Sequence, residues 1–77
     1  MSKLPVISGE NLIKLLVKTG FYIDRIKGSH FVLKTKTIPV KTVVVPLHPE
    51  LDKGTLISVL KQANLTREEF IFLFNNS

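Results

Sequence analysis

A lysine, a glycine, a hydroxyl and an imidazole stand in four consecutive positions at Lys27-Gly28-Ser29-His30. Imidazole ionises near neutrality, so a histidine here is suited to move a proton at cellular pH. Beside lysines that hold phosphate, it could deprotonate a ribose 2′-hydroxyl, whose oxygen then attacks the adjacent phosphorus and cuts RNA without a metal or other cofactor. A positioned general base contributes about 10² to 10⁴-fold. Charge stabilisation of the phosphorane by Lys or Arg is the other main term. Gly28 permits close approach of a phosphate to the backbone, and the amides and hydroxyl around Ser29 can hold it. Taken alone, one histidine in a hairpin is more often an ordinary surface group.

His48 is the second titratable candidate. It can supply the complementary acid for the departing 5′-oxygen, contact phosphate, or merely close a strand. A zinc site is not expected, because two histidines without cysteine, and with Glu50 and Asp52 as the nearby carboxylates, match no metal-ligand spacing. Ser29 and His30 resemble a nucleophile and its base only superficially, since adjacent strand residues point to opposite faces. No glycine-rich nucleotide loop or nucleophile elbow is present.

The charge distribution narrows the ligand. Eleven Lys and Arg against six Asp and Glu leave a net charge of +5. Residues 1–24 and 50–77 balance, so the whole surplus lies in Arg25, Lys27, Lys34, Lys36 and Lys41, a segment with no carboxylate of its own. A single-sign field of this kind favours a polyanion, most plausibly nucleic acid. The competing reading is that strand edges carry lysine to block edge-to-edge pairing. On these grounds Arg25, Lys27, Gly28, Ser29, Lys34 and Lys36 are the expected RNA-binding residues around His30.

The elements that must position these groups follow from periodicity. Ser8 is an expected N-cap, with Leu12, Leu15 and Leu16 at helical spacing and Gly20 as a stop, which predicts a helix over about Gly9 to Thr19. Phe21 and Ile23 alternate with Tyr22 and Asp24 in a strand running from Phe21 to Ile26. After the turn a second strand, Phe31 to Thr35, places Phe31 and Leu33 on the core face and His30, Val32 and Lys34 on the other. Arg25 falls on core parity at a strand end, and parity alone does not say which way it turns. Lys36 to Pro39 is an expected loop. Val40 to Leu47 is the third strand, with Val43, Val45 and Leu47 on one face and Val44 and His48 on the opposite one. Both histidines then share the non-core face. Asp52 caps a helix over about Lys53 to Ala63, and Thr66-Arg67-Glu68-Glu69 has capping-box spacing before a last short helix carrying Phe70, Ile71, Leu73 and Phe74. The fold class is α+β, a three-stranded antiparallel sheet with helices on one face.

At 77 residues the chain allows one domain, spanning 1–77. A domain of this size buries only about 60% of its unfolded surface. With 44% hydrophobic residues, an exposed apolar patch and a protein partner are expected. There is no cysteine, so no disulfide or thiolate metal site supplements the core. Without an apolar leader at Met1-Ser2-Lys3-Leu4-Pro5, and with no apolar run near the ~20 residues of a membrane span, a cytoplasmic protein is expected.

Several pieces together resemble a known family. Ser8-Gly9 opens a helix ending at Gly20-Phe21. Arg25-x-x-Gly28-Ser29-His30 follows, then Val45-Pro46-Leu47-His48, Leu51-x-x-Gly54-Thr55-Leu56 and Leu65-Thr66-x-x-Glu69-Phe70. This is similar to the HicA toxins of bacterial and archaeal HicAB toxin-antitoxin systems. The resemblance implies a double-stranded-RNA-binding-domain-like (dsRBD-like) fold, α-β-β-β-α with a short extra C-terminal helix here, and an mRNA interferase, an endoribonuclease whose catalytic histidine falls on His30. It also implies a HicB-like antitoxin that covers the active site, in a higher-order toxin-antitoxin complex. The alternatives are a non-catalytic RNA-binding module of the same fold and a purely protein-binding adaptor.

Overall fold

The computed structural model describes residues 3–76. Its elements are α1 (Gly9–Lys18), β1 (Phe21–Lys27), β2 (His30–Thr35), β3 (Thr42–Pro46), α2 (Lys53–Ala63) and α3 (Arg67–Asn75). The strands form one antiparallel sheet in the order β1-β2-β3, so β2 is central. The architecture is α+β with the α-β-β-β-α order of the dsRBD-like fold and α3 appended. No described helix is long and apolar enough to cross a membrane.

Each helix starts where a side chain satisfies backbone N–H groups that have no partner within the helix. Ser8 Oγ accepts the Asn11 N–H at 3.1 Å, and Asp52 accepts that of Thr55 at 3.1 Å. Thr66 and Glu69 form a reciprocal capping box. The α2 C-terminus closes on Asn64, held at φ 58°, ψ 40°. There a short amide side chain tolerates the left-handed region that a branched residue would not.

One face of the sheet is covered by helices. Phe21, Leu33, Val43 and Val45 meet Leu12, Leu15 and Leu16 of α1 and Leu56, Val59 and Leu60 of α2 in a single core, which Phe70 of α3 completes. The α1 N-terminus sits directly on the end of β3: the Gly9 N–H donates to the His48 carbonyl at 2.9 Å, and a Cβ at Gly9 would run into the Pro46 carbonyl oxygen. At the outer edge of β3, the Val44 N–H donates to Gln62 Oε1 of α2 at 3.0 Å, so a helix side chain replaces a neighbouring strand. Thr35, buried at the other end of β2, receives the Lys41 N–H at 2.9 Å. Thr37 spends its own hydroxyl proton on the Pro39 carbonyl, so in the 2.8 Å contact between the two threonines it is Thr35 that donates. This chain fixes the β2–β3 connection.

Two expected element bounds, those of the third strand and the first helix, are corrected. The third strand is Thr42–Pro46, shorter than Val40 to Leu47 at both ends. Val40 stays in the connection that Thr35 organises, and Leu47 is exposed rather than in the core. Ile23 does lie on the Leu33 side of the sheet but is 44% exposed. It belongs to the outer strand, and Ile26, nearer the hairpin, is also exposed on that side. The first helix ends at Lys18, with Thr19 as its cap.

Two outcomes follow. Gly9→Ala forces overpacking against rigid backbone and lowers stability by about 1–3 kcal/mol, measured by urea denaturation. Acid sensitivity has a definite sign. The Thr55 hydroxyl and N–H hold the Asp52 carboxyl below its ordinary 3.8, and the Thr66 N–H holds that of Glu69 below its ordinary 4.5. Both carboxylates are therefore favoured by folding. Their contribution is fully present above the ordinary values and is lost as pH falls through the depressed ones. Midpoint denaturation curves should fall below about pH 4.5, and the fall should be shallower in a Thr55→Val, Glu69→Gln double variant.

Candidate functional site

The hairpin between β1 and β2 is a two-residue loop. Lys27 pairs with His30, leaving Gly28 and Ser29 as the turn. Gly28 is at φ 58°, the left-handed value that a turn with glycine in its first central position requires. The turn is one residue later than Lys27-Gly28, and His30 is thereby the first residue of β2. Central β2 holds it from both sides, against Lys27 on β1 and Pro46 on β3. One more bond, from the Leu47 N–H to the Ser29 carbonyl at 2.6 Å, ties the turn to β3. The His30 side chain is exposed and makes no hydrogen bond or ion pair among the described residues.

The pairing register shifts between Ile23 and Arg25. Asp24 is the extra residue of a β-bulge, and the side-chain alternation of β1 restarts after it. Ile23 pairs with Leu33, on the core side, whereas Arg25 pairs with Val32, on the open side. This settles the orientation that parity left undecided. Register then puts Tyr22, Arg25 and Lys27 of β1, His30, Val32 and Lys34 of β2, and Thr42 and Val44 of β3 on one uncovered face. Lys36, just beyond β2, reaches this face, with its ammonium 5.9 Å from the centre of the Tyr22 ring.

Asp24 also changes the electrostatics. Its Oδ2 lies 3.4 Å from Arg25 Nε and 3.6 Å from Lys34 Nζ. The cations of the segment were expected to face no carboxylate; two of them share one, because the bulge brings Arg25 round to the side on which alternation already puts Asp24. Such partly exposed pairs are worth little in stability but lower the local field. Lys27 and Lys36 have no ion pair among the described residues. Lys41 is near enough to Glu69 of α3 to favour its ionised form, and it lies one residue off the open-face register of Thr42.

His48 lies beyond the strand whose parity was used to place it. The strand ends at Pro46, and the His48 carbonyl is taken by the first N–H of α1. His48 lines a shallow pocket of about 330 Å³ with Ser8, Glu10, Asn11, Leu47 and Pro49. It therefore stands at the same end of the molecule as His30, one strand across and two residues beyond, beside α1 rather than on the open sheet.

The arrangement brings together an exposed imidazole on a rigid strand, a turn with free backbone groups, and cations along one face. Chemically, it can move a proton beside a bound phosphodiester. Sequence reasoning placed His30 and Lys34 on the open face but missed Asp24 and gave Tyr22 no role. Tyr22 was already on the open side by simple alternation. The bulge had no local signal.

Comparison with curated proteins gave no match. The family model described as the HicA toxin of bacterial toxin-antitoxin matches residues 9–65. That span runs from the first residue of α1 to Leu65 and contains the hairpin, the basic face and His48, with α3 outside it. The chain belongs to the HicA toxin family, the toxin component of a bacterial toxin-antitoxin pair, and its partner is an antitoxin.

Proposed function

We propose that this HicA family member is an endoribonuclease acting on messenger RNA, with His30 as its general base. The observation that carries the reading is an exposed, unpaired imidazole fixed on the central strand, on the same face as Arg25, Lys27 and Lys34. The RNA backbone lies across the cations of that face, and the Gly28-Ser29 turn takes a phosphate on its backbone N–H groups. His30 accepts the proton of a ribose 2′-hydroxyl. The 2′-oxygen forms a bond to the adjacent phosphorus as the bond from phosphorus to the 5′-oxygen breaks. That oxygen leaves with a proton taken from water, and the products are a 2′,3′-cyclic phosphate and a 5′-hydroxyl. Arg25 and Lys27 stabilise the charge that gathers on the phosphorane oxygens. His48, at the same end, contacts a neighbouring phosphate.

The antitoxin neutralises the enzyme by covering this face. A partner there excludes RNA whether it touches the imidazole or only the cations, because both lie on one surface.

Purified protein should cut single-stranded RNA in the presence of EDTA and leave cyclic phosphate ends. His30→Ala should remain folded by circular dichroism and lose about 10² to 10⁴-fold in rate. Undiminished cleavage by folded His30→Ala would remove the mechanism, and RNA binding without any turnover by wild type would leave a binding module. Asp24→Asn frees Arg25 and Lys34 from their shared carboxylate. It should tighten RNA binding and steepen the log-log salt dependence by about 0.7, the increment for one more neutralised phosphate on a single strand.

A further inference from the structure

Tyr22 is the one aromatic ring that register places on the open face, where it pairs across β1 and β2 with Lys34. It is 38% exposed, and no part of the buried core includes it. The Lys36 ammonium sits over its ring from a connection outside the sheet. A cation over an exposed ring is weakly held, so a better partner displaces it. The ring is thus an uncovered π-surface bracketed by two cations, which is the arrangement that binds an unpaired base with its phosphate. Lys34, the residue opposite Tyr22, is four positions along β2 from His30, about 13 Å at strand rise. An extended RNA strand covers that separation in a few nucleotides.

We propose that Tyr22 is a stacking platform for one unpaired base of the RNA substrate, a few nucleotides from the bond cleaved at His30, with Lys36 moving from the ring to that nucleotide's phosphate. This rests on the RNA-cleaving reading above and adds to it a fixed subsite. Stacking accepts any base, so the platform selects single-stranded over paired RNA rather than a sequence. A duplex keeps its bases stacked on one another and has none to offer.

The test uses a 2′-O-methyl RNA single strand, which cannot be cut because the attacking oxygen is blocked. The chain has one tyrosine and no tryptophan, so fluorescence excited at wavelengths beyond phenylalanine absorption reports on this ring alone. Binding should quench it. Tyr22→Ala should weaken affinity about 5- to 100-fold with the salt slope unchanged, and Tyr22→Phe should restore it. Lys36→Ala should instead lower the slope by about 0.7. An abasic scan of the strand should find one position at which removing the base costs wild type affinity and costs Tyr22→Ala nothing. Equal affinity of Tyr22→Ala and wild type, or a loss that appears as a changed salt slope, overturns the platform and leaves the ribonuclease intact. Absence of binding by wild type at low salt overturns both.

Discussion

The structure depends on one extra residue in β1. In an unbroken strand Phe21, Ile23, Arg25 and Lys27 would share a face, and no orientation could satisfy a core aromatic and two cations together. The bulge at Asp24 resolves the conflict. Before it, Phe21 points into the core; after it, Arg25 and Lys27 join the open side. The cost is local, one disrupted step in the ladder of an outer strand. The same residue supplies the carboxylate that Arg25 and Lys34 share, so geometry and charge on the open face are set together.

The central strand needs no such device, and this is why so much of it was legible. Phe31 and Leu33 were assigned inward and His30, Val32 and Lys34 outward from a two-residue period, and β2 keeps that period against both neighbours. The helix starts were legible for a similar reason: Ser8, Asp52 and Thr66 act within three residues of the groups they satisfy. The rest depends on contacts distant in sequence. The bulge is defined only by pairing with β2. The end of β3 at Pro46 depends on α1 claiming the His48 carbonyl, more than thirty residues upstream in the chain. His48 was therefore placed by an alternation that had already stopped. Ile23 is a subtler case, because its side of the sheet was read correctly while its exposure depends on how far the helices reach across β1.

The two outer strands are finished differently. Gln62 occupies the Val44 N–H, so β3 is blunted by a helix side chain. On β1 the protection is the bulge itself, with Arg25 and Lys27 after it, a common defence of an open edge. The positions of lysine and arginine are compatible with both readings that the composition allowed. They discourage strand addition along the edge, and on the open face they leave positive charge that only Asp24 offsets among the described residues. The two roles do not compete, since the first acts in the plane of the sheet and the second above it.

Rigidity is distributed unevenly over this face, in a way suited to the proposed chemistry. A general base must be held to within a fraction of an ångström of its proton, whereas a phosphate contact tolerates far more. His30 is laced into the sheet on both sides, and the adjoining Ser29 carbonyl is bonded to β3, so the direction of its Cα–Cβ bond is fixed by backbone pairing. Lys36 stands outside the strands with the Tyr22 ring beneath it. Exchanging these positions would take the imidazole off the paired backbone and waste a fixed strand position on a long flexible ammonium. Placing the histidine at the first residue after a two-residue turn also leaves it open past Gly28, which has no side chain to bar the way.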